Sequence, residues 1–435
     1  MINMLCCFTA THACLSPETN EDLKPPRGAG RLGGCAAMLG ASGPLAPGEA
    51  AMGGKERAAG RCGATAALLM GLGLAGCVPT EGSGKSGDQV SVDGSLRTVR
   101  TSESSQNDGI AVVAVDVNAG ETSMLLTAQA DQLVSVEYIE DPSGDRVFYW
   151  EDWYGDYSLT GAIFPEARDM AVNWPVRAAD APLQAGIWYV GIATTNNNGY
   201  YVNNVDIDLT LQLKSDDDTS RATVRALVAY ADGLADDPEV VAGTEAAVER
   251  WAEVWAAAGI TLEARFTSTD LDPVLPTMYD GGSAEIRSLA ADEGEDNDVM
   301  VVIGDSVGNQ RNTYGISGGI PGTLVATKRA AVVISWVANA GGDGTFEDAD
   351  VQLYGETLAH EVGHYMGLFH PVESSYDYWD ALDDTPECTN ARGCENNLGE
   401  NNMFPYPVCD FRSCLAQDVI TDEQAGVSHR YAGAL

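Results

Sequence analysis

The sequence predicts a multidomain chain: an all-β sandwich over residues 90–214, then an α/β (α+β) domain over residues 222–435. A change of rhythm predicts this. Before Ser215, short runs alternate polar and apolar with turn signals between them; after Ser220, apolar strands alternate with helical periodicity. The polar run Ser215 to Ser220 reads as the linker. Length agrees, since 435 residues suit roughly two or three domains.

In the first half the runs Ile110 to Val117, Leu133 to Ile139, Trp188 to Ile192 and Val205 to Leu213 read as strands. Asn118 to Gly120, Asp141 to Gly144 and Asn196 to Gly199 supply turns. That cadence suits an antiparallel sandwich. In the second half Thr223 to Tyr230 is an apolar strand. Pro238 to Ala258 places Val240, Val241, Ala247, Val248, Trp251, Val254 and Trp255 at helical spacing, and Gly259 stops it. Thr261 to Phe266, Asp298 to Ile303 and Ala330 to Trp336 read as strands, and Ser283 to Ala291 as a short helix.

The formal net charge is −40, from 64 acidic and 24 basic residues. That excludes a general nucleic-acid binder, which needs clustered cations, and a polybasic membrane-surface protein. Most of the acidic residues read as a solvated surface. No apolar run reaches the ~18–20 residues of a spanning helix.

The first 76 residues differ, with 5 acidic and 6 basic residues. Residues 1–51 lack any period and read as a disordered extension upstream of the true start at Met52. Residues 52–76 read as a signal peptide: Lys55, Arg57 and Arg61 precede the apolar stretch Cys62 to Leu74. Leu74-Ala75-Gly76-Cys77 resembles a bacterial lipobox, which implies lipidation at Cys77; a plain signal peptide or a chance buried helix is the simpler alternative. Residues 77–89 read as a tether. Within it, Gly82 to Ser86 lacks the spacing and preceding strand of a phosphate-binding loop. The chain is expected to be exported, on the cell envelope or extracellular, with membrane contact through the lipid alone.

Cysteine usage agrees with export. Cys388, Cys394, Cys409 and Cys414 crowd near the C-terminus, suggesting two disulfides rather than a zinc knuckle, whose spacing they fit poorly. Three connectivities are open, and Cys388–Cys409 with Cys394–Cys414 is weakly favoured.

Three of the five histidines fall within eleven residues, His360 to His370. Asp348 to Ala359 reads as helix, so His360 and His364, four apart, project from one face. Gly367 allows the chain to turn, and His370 can return as a third ligand. Three neutral imidazoles leave one corner of a tetrahedral ion open, as at a catalytic rather than a structural zinc. Glu361 lies beside the first ligand, positioned as general base. A structural alternative is a set of histidines on a helix with an incidental glutamate.

The run His360-Glu361-Val362-Gly363-His364-Tyr365-Met366-Gly367-Leu368-Phe369-His370 matches H-E-x-x-H-x-x-G-x-x-H at every fixed position and so resembles the metzincin metalloproteases. Met403, in the turn Asn401 to Tyr406, is the candidate for the methionine turn of that family. Asp383 to Pro386, the cysteines and a terminal helix at Thr421 to Gln424 are similar to the pappalysin-like members. The resemblance covers about residues 222–435. It implies a zinc endopeptidase acting on peptides of extracellular proteins. It also implies that the strand Ala330 to Trp336, after the Gly-rich loop Gly315 to Gly319, is the edge that holds extended substrate. Such proteases also bind structural calcium, but no EF-hand loop names ligands here. One departure is Pro405 two residues after Met403, where pappalysins often place a tyrosine; Tyr406, a residue later, is the candidate transition-state stabiliser. The insertion Val372 to Ala381 looks local to this chain. Residues 183–190 weakly resemble late strands of prepeptidase-type sandwiches, with a spacer or prodomain as the alternative. The chain is expected to act as a monomer. A surface adhesin with structural zinc is the rival from another class; Glu361 argues against it, because a structural metal needs no base. A zinc hydrolase of a non-peptide substrate is a second rival.

Overall fold

Ten strands build the first half: β1 (Gln89–Asp93), β2 (Leu96–Ser104), β3 (Ile110–Val117), β4 (Ser123–Ala130), β5 (Leu133–Glu140), β6 (Arg146–Tyr149), β7 (Tyr157–Ser158), β8 (Asp169–Trp174), β9 (Gly186–Thr195) and β10 (Asp206–Lys214). The computed structural model describes residues 89–435 except 217, 279–280, 296, 311, 342–344 and 410–412. The expected extension, signal peptide, Cys77 and nearly all of the tether lie outside the described residues.

Two antiparallel sheets face each other, ordered β1-β2-β10-β4-β8 and β3-β9-β5-β6. Val113, Val115, Leu126, Val136, Val172, Trp188, Val190 and Leu211 share the core between them. β3 shows the expected alternation, inward Val113 and Val115 against outward Ala114 and Asp116. β4 and β8 do not alternate. Every residue of β8 is buried, because its sheet has a second covered face. There Leu96, Leu125 and Ala171 join the core of the second half. This is why these strands escape a period-2 reading.

The second half begins with β11 (Ala222–Tyr230), α1 (Pro238–Ala256), β12 (Ile260–Ser268), β13 (Val274–Leu275), α2 (Ala284–Asp292), β14 (Val299–Gly304) and β15 (Ser306–Val307). It continues with β16 (Gly315–Ser317), β17 (Val332–Ser335), α3 (Trp336–Asn339), α4 (Asp348–Tyr365), β18 (Trp379–Asp380), α5 (Ala391–Leu398) and α6 (Asp422–Arg430). Asp237 caps α1 through the N–H groups of Glu239 and Val240, and Pro238 opens it. Glu347 and Asp350 form a capping box at the start of α4. The main sheet runs β12-β11-β14-β17-β16. The first four strands are parallel; β16 alone is antiparallel, paired to β17. The structure is thus mixed α/β and mostly sheet.

Two expectations are corrected here. The sheet edge near the antiparallel pairing is β16, Gly315–Ser317, in the segment read as a Gly-rich loop, with β12 at the far edge; the strand expected as the edge lies inside the sheet as β17. Three residues are too short to show a period, so the sequence hides the strand. The disulfides join Cys388 to Cys394 and Cys409 to Cys414, not the favoured crossed pairing. Asn390 caps α5 two residues after Cys388, and the helix's first turn returns Cys394 beside Cys388. Cys409 and Cys414 face each other as an antiparallel bridge pair. Short-range loop closure wins over the longer crossed loops.

Between α4 and α5, β18 pairs in parallel with β7 of the sandwich. Asp380 is buried in this junction, and burial pushes its carboxyl up to about 7, opposed by the Thr385 hydroxyl that donates to it. The folded chain therefore keeps a proton that the unfolded chain releases near pH 4. Between about pH 4 and pH 7 this group lowers stability as pH rises, and above that its contribution is flat. Asp380→Asn is expected to remove that slope from a urea-melt series across pH 4 to 8; an unchanged slope counts against it.

Candidate metal centre

α4 ends by a change of conformation at Gly367, whose φ of +106° favours glycine. The N–H of Gly367 donates to His364 O and that of Leu368 to Gly363 O, closing the helix and turning the chain back toward its own last turn. His370 thereby meets His360 and His364. His364 Nε2 lies 3.1 Å from His370 Nε2, which lies 3.3 Å from His360 Nε2. All three side chains are 1–3% exposed.

The outward ring nitrogens fix the tautomers. His360 Nδ1 sits 2.7 Å from Asn402 O, and His364 Nδ1 2.7 Å from Leu368 O. A carbonyl only accepts, so each Nδ1 carries the proton and each Nε2 presents a lone pair. His370 Nδ1 is 3.1 Å from the carboxylate of Glu373. Three lone pairs thus point into one small buried space. Burial first, then the neighbouring imidazoles, holds His360 and His364 well below the ordinary histidine range, so they are neutral, as ligands must be. A tetrahedral ion about 2.0–2.1 Å from each nitrogen sets them about 3.3–3.4 Å apart. The observed spacings fit. Among the described residues, this is the one group of three or more His, Cys, Asp or Glu close enough to share an ion. Structural calcium gains no support.

Glu361 is 1% exposed, and its Oε2 has no hydrogen-bond partner among the described residues. Burial alone pushes this carboxyl up to about 8, opposed by the Ser317 backbone. A dication beside it works in the opposite direction. Edge strand β16 passes directly over it: a Cβ on Gly315 would come 2.7 Å from Glu361 Cγ. An orphaned buried carboxylate one residue along the helix from His360 is what a divalent cation and a proton-transfer partner satisfy.

Met403 lies under the helix. A Cβ on Gly363 would come 2.6 Å from Met403 Sδ, so only glycine allows the sulfur this close, between the two helical histidines in sequence. Asn402, the residue before it, donates its amide to the carbonyls of Glu356 and Gln417, and so holds its own carbonyl on His360. Tyr406 is engaged with other residues. Its hydroxyl is 2.6 Å from that of Tyr376 and 3.3 Å from Glu395 Oε1, and no described hydrogen bond joins it to the histidines.

Sequence reasoning missed Glu373, Asn402, Gly315 and Gly363. For Glu373 a signal existed, a carboxylate three residues after the last histidine. For the others contact across the fold is the only cue.

No family model matches the chain, and no curated protein matches it. Among solved structures, archaemetzincin from Methanopyrus kandleri is 17% identical, with a TM-score of 0.24, over 35% of this chain and 76% of its own. Metalloproteinase-II from Bacteroides fragilis is 12% identical, with a TM-score of 0.26, over 55% of this chain and 64% of its own, a little under two thirds. Myroilysin is 12% identical, with a TM-score of 0.23, over 49% and 96%. At such scores the likeness carries no argument about chemistry; the residues of the site do.

Proposed function

We propose that this chain is a zinc-dependent endopeptidase of metzincin type, pappalysin-like in its motifs, exported and anchored through Cys77, and acting as a monomer on extracellular proteins. The observation that carries the reading is the meeting of three Nε2 lone pairs whose tautomers are locked from outside. His360, His364 and His370 would hold the ion. Zinc so held supplies a Lewis acid for a peptide carbonyl and acidifies an attacking water.

Glu361 accepts the proton of that water and passes it to the departing amine, a role its unpartnered Oε2 suits. The free edge of β16 offers its backbone to an extended peptide as an added strand, which places the scissile bond beside Glu361. Met403 gives a soft apolar floor. The hydroxyl of Tyr406 would have to leave Tyr376 and Glu395 to stabilise a transition state.

Residues 78–435, purified without added metal, are expected to carry one zinc per chain and to cleave a peptide library internally. Chelation should stop cleavage and restored zinc should return it. A chain that neither binds zinc nor cleaves peptides counts against the reading.

A further inference from the structure

We infer that the β-sandwich is a permanent part of the metal centre, because it holds in place the three groups that orient the histidines. The inference rests on the zinc reading. An outer group orients each histidine: those of His364 and His370 connect directly to the sandwich, and that of His360, whose Asn402 amide also grips Glu356 O and Gln417 O, connects to it through its neighbour Met403.

Leu368, whose carbonyl holds His364, buries its side chain in the same continuous apolar core as Leu159, Ile163 and Trp174. Met403, adjacent to the carbonyl of Asn402 that holds His360, lies in that core too. Glu373, which holds His370, stands at the root of a tight turn. Its N–H donates to Tyr378 O, and its carbonyl accepts from Tyr376 N. That turn ends in β18, which pairs with β7. The N–H of Trp379 donates to Asp156 O at 2.9 Å, and its ring packs 6.0 Å from that of Tyr157. The insertion Val372 to Ala381 is therefore a clasp: one end orients a ligand and the other grips the sandwich.

Other ties run alongside. The N–H of Gly161 donates to Ile320 O at 2.6 Å, just beyond β16. Arg329 and Asp169 form an ion pair at 2.7 Å with both side chains largely buried. A pocket of about 110 Å³ beside the edge strand takes its walls from both halves, Ala162, Phe164 and Met170 on one side and Ile316, Ser317 and Phe369 on the other. A spacer or a removable prodomain would leave a site with its own closed core. Here withdrawal of the sandwich strips cover from Leu368 and Met403, which are at most 3% exposed and lie next to the groups that orient two ligands. Outer-shell partners of this kind typically matter by roughly 10- to 100-fold in metal affinity.

The test uses full-length chain and zinc affinity by chelator competition, with the absorption spectrum of the cobalt-substituted protein as a second readout. Ser158→Pro, which disturbs the β7–β18 pairing, is expected to weaken zinc binding about tenfold or more and to change the cobalt spectrum while circular dichroism remains folded. Glu373→Ala should do the same, and Glu373→Gln, whose amide oxygen still accepts from Nδ1, should recover most of the affinity. A folded Ser158→Pro chain with unchanged affinity and spectrum overturns the inference. Should that variant fail to fold, a protease site inserted between Asp218 and Thr219 decides. After cutting, the two pieces are expected to stay together with zinc affinity intact. A sandwich that departs while the remainder keeps its zinc overturns the inference. Wild-type chain that binds no zinc fails the site assignment instead.

Discussion

Glu361→Ala is expected to lower kcat/KM for peptide hydrolysis by roughly 10²- to 10⁴-fold while one zinc per chain remains bound. The three ring nitrogens that would hold the ion belong to other residues, so its affinity should change little. What is lost is a buried carboxylate next to His360 in sequence, whose Oε2 has no hydrogen-bond partner among the described residues. Glu361→Gln keeps the shape and removes the basicity, so its loss should be similar. A loss confined to alanine would instead indicate a packing role against Gly315, which approaches the same side chain. Steady-state kinetics with metal analysis on the same samples checks both variants. Undiminished cleavage by either one removes Glu361 from the mechanism.

His364→Ala is expected to remove binding and chemistry together. It deletes one of three converging nitrogens and leaves its two neighbours, so zinc affinity should fall by more than the roughly 100-fold typical of losing an outer partner. Cleavage should drop to background. The same variant should lose metal-linked stability. At a thousandfold excess over Kd, a ligand that binds only the folded chain contributes about 4 kcal/mol. Chelator should therefore lower the Tm of wild type and leave that of His364→Ala unmoved. Equal chelator shifts in both proteins would place the bound metal elsewhere.

The parts of the site that were legible are those written in one local stretch. Two histidines four apart share a helical face wherever that helix lies. Gly367 marks where the helix must stop, and three residues on, His370 comes back within reach. The sandwich strands with one wet face were legible for the same reason, since β3 alternates by itself. The long helix α1 was legible in its apolar spacing and in the glycine that stops it.

Other features were decided by what covers what. β8 is buried on both faces, so its period is erased. Edge strand β16 is known as an edge only from its neighbours. The disulfide partners follow from where α5 begins. Glu373 gains its role when a turn folds back onto His370, and Gly363 gains its role when a sulfur arrives from forty residues away. Sequence alone determined that His360, His364 and His370 could meet, because helical periodicity and a glycine turn act over a few residues. Tertiary structure alone decided the groups that orient those ligands and the docking of the sandwich. These depend on contacts between segments far apart in the chain, and local spacing holds no record of them.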